Sequence, residues 1–312
     1  MARPLRIVFP GAFYHVTSRG DDRRDVFKSR RDREKFLEYL ASATQRYGAV
    51  IHAYCLMNNH YHLFLETPAG NLPEIMHHIN SAYTTYANVK RKRAGHLFQG
   101  RYKAILVEAD EYAAELSRYI HLNPVRAGAV SRPEDYAWSS YRSYIGHGDV
   151  PEWLKREFIL GFFGKRAEAA AIKYQAFVED MLGKEYESPL KQTFGSAILG
   201  KAGFIEAITA THLAEKEMER DVPALRQFAN RPTPEAICSA VKEMMADDEK
   251  LARQAGMYLC HTYSGARLRI IGSLFGVKES AISEASRLFP LKLAKDKKLG
   301  EVIEKIKGIL QI

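Results

Sequence analysis

The sequence predicts an α+β domain followed by an all-α one, and three observations carry that expectation. Strand-like alternation and helical periodicity take turns along the first part of the chain. The dipeptide Asn58-Asn59 separates two β-rich runs as a turn would. After the break NRPTPE, at 230–235, only helical patterns follow.

The elements read in order as follows. Residues 12–18 alternate like a half-buried strand. RRDREKFLEYLASATQRYG is an amphipathic helix ending at Gly48. AVIHAYCLM and HYHLFLE are two strands around the Asn-Asn turn. NLPEIMHHINSAYTTYANVKRKR is a long helix with Asn71 as its cap and Pro73 in its first turn. RYKAILVE is a fourth strand, and DEYAAELSRYIHLNP is a helix capped by Asp110 and stopped by Pro124. The order β-α-β-β-α-β plus one helix is the ferredoxin-like pattern, an antiparallel sheet with an added helix. Residues 151–222 read as a helical connecting region without a strand, and residues 223–312 as an all-α domain of five helical segments. The division expected is therefore 1–150, 151–222 and 223–312.

A chain of 312 residues favours two domains over one. The net charge is +9, and the first 150 residues hold 21 Lys and Arg against 15 Asp and Glu. Such an excess suits a polyanion, most simply nucleic acid, although a basic protein need have no such partner. Three scattered cysteines form neither a disulfide framework nor a zinc pattern. A reducing, cytoplasmic setting fits them. MARPLRIVFPG lacks the apolar core of a secretory signal, and no run of about 18 apolar residues is present to span a membrane.

The stretch MNNHYHLF places His60 and His62 two apart on a strand, so both project from one sheet face. Two neutral imidazoles there can ligate a divalent metal, or they can be structural. Further along, Tyr119 and Asn123 are four apart on a helix, with Glu115 one turn earlier. A phenol is a poor nucleophile unless a metal stabilises charge developing on a phosphodiester. A phosphotyrosine link conserves the energy of the broken bond, and Asn123 can offer a metal its amide oxygen. The plain alternative is a core tyrosine and a capping asparagine.

Four motifs in order, MNNHYHLF, HLFQGRYKA, YIHLNPVRAG and YAWSSYRSY, resemble the single-tyrosine HUH transposases, in the branch of REP-associated tyrosine transposases. The resemblance covers about residues 1–150. It implies that His60 and His62 bind Mg²⁺ or Mn²⁺, with Asn123 as a further ligand. It implies that Tyr119 attacks single-stranded DNA at the foot of imperfect hairpins and keeps a 5′-phosphotyrosine. Tyr112, two turns before Tyr119, could share its face but lacks the downstream amide partner, and Tyr102, Tyr136, Tyr141 and Tyr144 are packing or base-stacking residues. Arg101 and Lys103 become phosphate-contact candidates, Arg3 and Arg6 candidates from an N-terminal arm, and Lys90, Arg91, Lys92 and Arg93 a cationic helix end that is either a DNA contact or a solvated terminus.

Near the C-terminus, LRIIGSLFG followed by SAISEASRLF has a helix-turn-helix pattern. The RQAGMYL helix and the turn GVKESAISEA resemble the DnaA-type C-terminal DNA-binding domain. That resemblance implies duplex contacts by Arg267, Lys278, Ser280 and Ser283, although Glu279-Ser280-Ala281 departs from the family's acidic-His-Ser-Thr run. A helical bundle used for packing is the other reading. The sequence thus points to a DNA-cleaving and rejoining transposase, a monomer or homodimer, against a DNA-binding regulator with a dead site. An RNA-binding sheet lacks its aromatic stacking motif here.

Overall fold

The computed structural model describes residues 5–185, 187–213, 232–264, 266–294 and 296–310. The chain divides into two compact units, residues 1–227 and 228–312.

The first unit is built on a sheet of order β2-β3-β1-β4-β5. Its strands are β1 (Ala12–Arg19), β2 (Val50–Leu56), β3 (His60–Thr67), β4 (Lys103–Val107) and β5 (Ile198–Leu199). The first four are antiparallel neighbours, in the predicted ferredoxin-like arrangement. β5 pairs in parallel with β4, Leu106 opposite Ile198. Two residues are too few to show any period, so the sequence predicts no strand there.

Helices α1 (Arg30–Tyr47) and α2 (Leu72–Lys90) cover one face. The alternation of β3 decides which side chains meet them. Tyr61 points to Phe36 of α1, ring centroids 4.8 Å apart, and Phe36 meets Tyr83 of α2 at 5.2 Å. Phe64, on the opposite face with His60 and His62, joins a core with Leu116 and Ile120 of α3 (Ala109–Arg126). Ile159, Tyr174, Val178 and Leu199 enter that same core, so much of the segment 151–213 packs as part of the first unit.

Two termini of α3 differ from expectation. Glu108, not Asp110, occupies the N-cap position, and Asp110 lies in the first turn, where an acidic group complements the helix dipole. Pro124 stays inside the helix, which runs on to Arg126. It forfeits one backbone bond in the last turn, where few remain to lose.

The buried side of α3 is tied down by hydrogen bonds. His121 Nδ1 lies 2.7 Å from the Tyr174 hydroxyl, and its Nε2 lies 2.7 Å from Ser140 Oγ. Tyr174 also donates to Ser117 Oγ, and Ser140 Oγ accepts from the Tyr54 backbone N–H of β2. α3 is thereby linked to β2 and to the helix Ala167–Glu179.

Asp32 locks α1 to the end of α2. Its carboxylate accepts from the Lys28 and Ser29 N–H groups at 2.9 and 3.0 Å and from Lys90 Nζ at 2.7 Å, and it pairs with Arg91. Burial alone would raise its pKa, but Lys90, the Lys28 N–H and Arg91 outweigh it and bring the group down to about 2. We expect Asp32→Ala to cost about 3 kcal/mol, read from denaturant unfolding, because a capping box and two ion pairs go together. An unchanged midpoint would count against this lock. The folded pKa lies below the ordinary 3.8, so this contribution is complete above about pH 4 and is lost as the pH falls towards about 2.

The second unit is all-α among its described residues, with helices Pro234–Met244, Glu249–Leu259, Leu268–Phe275, Glu279–Leu293 and Lys297–Leu310. Ile237, Leu259, Ile271, Ile282, Phe289 and Ile303 form a core of their own. The turn after Leu268–Phe275 depends on two glycines. Gly276 caps the helix at φ 62°, and a Cβ on Gly272 would sit 2.7 Å from the Val277 carbonyl oxygen. The chain can therefore double back tightly into Glu279–Leu293.

Candidate active site

The site lies on the sheet face that carries α3. Register sets its floor: Thr17 lies opposite His62 and Arg19 opposite His60. β1 thereby adds His15, Thr17 and Arg19 to the face that His60 and His62 occupy. Tyr119 of α3 stands edge-on to this floor, its ring 5.7 Å from that of His62 and 6.1 Å from that of His15. The sheet and helix enclose a cavity of about 460 Å³ lined by His60, His62, Tyr119 and Asn123. Arg19, Gln99, Arg101, Lys103 and Arg126 also line it. Four of these are cationic, and such a rim favours phosphate.

The Asn-Asn turn is held from several sides. Asn58 O accepts from the Val26 and Phe27 N–H groups, both at 2.9 Å, and Asn58 Oδ1 accepts from Arg33 at 2.5 Å. Asn59 Nδ2 donates to the Arg23 carbonyl at 3.0 Å, which fixes the amide's orientation. Its Oδ1 therefore faces His60 Nδ1, 2.7 Å away, and must accept a proton from it. The proton of neutral His60 is then on Nδ1, and Nε2 keeps its lone pair.

Burial lowers the pKa of His60 to about 4, with Arg19 adding to the effect. Burial also brings His15 to about 3 and puts His62 well below the ordinary range, where His15, His60, Arg19 and Arg126 push it the same way. All three are neutral at pH 7, the state in which imidazole is a ligand. His62 Nε2 is buried and has no hydrogen-bond partner. Two neutral imidazoles beside an amide suit a divalent cation. Among the described residues no group of three or more His, Cys, Asp or Glu is gathered to hold one, so neutral oxygen ligands would have to complete the shell.

Asn123 uses its amide nitrogen to donate to the Tyr119 carbonyl at 2.9 Å, which leaves Oδ1 as its remaining acceptor. Glu115 is paired with Arg118 on the helix surface and does not line the cavity. The guanidinium of Arg126 lies 5.0 Å from the Tyr119 ring centre. Of the competing tyrosines, Tyr112 reaches Gln192, Tyr136 donates to the Leu56 carbonyl and Tyr144 to the His52 carbonyl. Tyr141 is buried in the core, and Tyr102 lies beneath Arg6 at 3.9 Å.

The other predicted contacts fall in three places. Arg101 and Lys103 are exposed at the cavity, and Arg101 also lines a neighbouring groove of about 660 Å³ with Arg6, Ser81, Thr84 and His96. Lys90 and Arg91 are occupied by Asp32, a partner some 58 residues away in sequence that the local pattern does not announce. Lys92 and Arg93 are exposed. Arg3 lies outside the described residues. Arg267, Lys278, Ser280 and Ser283 are all exposed; Lys278 and Ser280 lie at the turn of the second unit with Arg269 and Ser273, whereas Arg267 precedes the helix Leu268–Phe275 and Ser283 lies inside Glu279–Leu293. No sequence pattern points to His15 or Arg19, and Gln99 lies within the HLFQGRYKA motif without being singled out by it. Arg126 does carry a signal, seven residues beyond Tyr119 and so on nearly the same helix face.

Sheet order and helix placement make the first unit a ferredoxin-like α+β domain with an added helix. Its residues 9–123 match the family described as IS200-like transposases, a span that runs through the four main strands and ends at Asn123. A solved structure of a REP-associated tyrosine transposase bound to a REP hairpin is similar at 16% identity and a TM-score of 0.42, covering 50% of this chain and 92% of that one. No curated protein matches the chain. Among the described residues no helix is long and apolar enough to cross a membrane.

Proposed function

We propose that this protein is a transposase that cleaves and rejoins single-stranded DNA at hairpin-forming repeats through Tyr119, in the manner of the REP-associated branch. The observation that carries the reading is Tyr119 standing over His62 in one cavity with a cationic rim. The Tyr119 oxygen attacks phosphorus and loses its proton. The P–O3′ bond breaks, and the departing oxygen takes a proton to become a 3′-hydroxyl. The 5′-phosphate stays on the tyrosine, and a later 3′-hydroxyl reverses the step. Arg19, Arg101, Lys103 and Arg126 hold the phosphates of the strand. His60, His62 and Asn123 would hold Mg²⁺ or Mn²⁺, which when bound offsets charge developing on the phosphate oxygens.

Mixing the full chain with hairpin DNA from around its own gene tests this. After nuclease digestion, mass spectrometry should find a nucleotide on the peptide holding Tyr119. A nucleotide on Tyr112, Tyr102 or a serine would refute the assignment, and the absence of any adduct would favour a DNA-binding regulator.

We assign the second unit duplex binding through Arg267, Lys278, Ser280 and Ser283. A chain ending at residue 227 should fold and still cleave, because the core around α3 is built, among the described residues, from the first unit. Its affinity for duplex flanks should fall. The salt dependence of binding should become shallower, its log–log slope dropping by about one for each phosphate that is no longer neutralised. An unaltered salt slope would remove the second unit from DNA binding.

A further inference from the structure

We infer that His15 is a positioning residue for His62: it accepts the Nδ1 proton of His62 and so keeps Nε2 free to ligate a divalent cation. This rests on the metal reading of the site and adds to it a residue outside the His60–His62 pair.

The argument is geometric. His15 Nε2 lies 3.0 Å from His62 Nδ1, with the two rings stacked at 5.2 Å and 15°. Both side chains are buried. Each neutral ring carries one proton, so one ring donates across this contact and the other accepts. If His15 donates, the proton of His62 sits on Nε2. That nitrogen is buried and has no acceptor, and a protonated nitrogen ligates nothing. If His62 donates instead, Nε2 presents its lone pair to the cavity, and the N–H without an acceptor is His15 Nδ1. Either tautomer leaves one buried N–H unsatisfied in the protein alone. Only the second becomes favourable when a cation enters, because the gain falls on His62. His15 then does for His62 what Asn59 does for His60, where the direction of the hydrogen bond is fixed by the Arg23 carbonyl. Ligating histidines commonly depend on such an acceptor for their other nitrogen.

The test uses the full chain and Mn²⁺ affinity measured by electron paramagnetic resonance, with no DNA present. His15→Phe keeps a ring in the stack but removes the acceptor, and Mn²⁺ binding should weaken by about 10- to 100-fold. His15→Gln restores an acceptor and should recover most of the affinity. In the wild-type protein with Mg²⁺, nitrogen NMR of labelled histidines should find His62 protonated at Nδ1. This last measurement stands even if His15→Phe fails to fold. Undiminished Mn²⁺ affinity in a folded His15→Phe, or a His62 protonated at Nε2 with Mg²⁺ bound, overturns the role of His15. If His62→Ala also binds Mn²⁺ as the wild type does, the metal reading itself falls.

Discussion

Tyr119→Phe should bind hairpin DNA and form no covalent complex with it. The exchange removes one hydroxyl from a half-buried ring whose edge contacts with His62 and His15 survive. The volume hardly changes, so stability should stay within about 1 kcal/mol of the wild type. The ring also remains as a surface for the Arg126 guanidinium. What disappears is the only tyrosine oxygen that the fold brings to the cavity among the described residues. Tyr112 on the same helix is spoken for by Gln192, and Tyr136 and Tyr144 hold backbone carbonyls. None of these can take its place beside the histidines. Gel separation under denaturing conditions reads the outcome directly. A covalent band surviving in Tyr119→Phe would remove Tyr119 from the reaction.

The second large effect falls on His62. His62→Ala should lower cleavage by roughly 10³-fold or more, which corresponds to several kcal/mol of lost charge stabilisation in the transition state. Chelation with EDTA should do the same to the wild type, and added Mn²⁺ should reverse it. Hairpin binding should change little in His62→Ala, since the cationic rim is untouched. Asn123→Ala should be milder, because water can replace a neutral oxygen ligand. Full cleavage in EDTA would sink the metal assignment and leave Arg126 and Arg19 as the groups that stabilise the charge.

Much of this site is legible in the sequence because its pairs are local. His60 and His62 share a strand face by the period of two, and Tyr119 and Asn123 share a helix face by the spacing of four. The remainder depends on pairing across strands. Which residue of β1 lies beside His62 is fixed by the register Thr17 to His62, and a slip of one residue would have turned His15 to the opposite face. Lys90 and Arg91 read as a free cationic helix end because their partner, Asp32, is buried at the start of another helix. β5 is hidden for a different reason: its two residues gain their place from Leu106 and Val107, not from any pattern of their own. The helices of the second unit are plain in the sequence, since each has an apolar stripe and a proline, glycine or acidic residue at an end.

Pinned through His121 and Ser117, α3 makes a poor swing arm. Tyr174, Ser140 and the β2 backbone hold its inner side, so turning the whole helix would break a buried chain of hydrogen bonds. On the proposed reading, a DNA-linked Tyr119 would travel by rotation about its own side-chain bonds. Side-chain rotations take picoseconds to nanoseconds, whereas collective helix movements take microseconds to milliseconds. On that reading the interval between cleavage and rejoining would be set by the arrival and seating of the incoming 3′ end, and strand exchange should slow with solvent viscosity and with the length of DNA that has to be brought round.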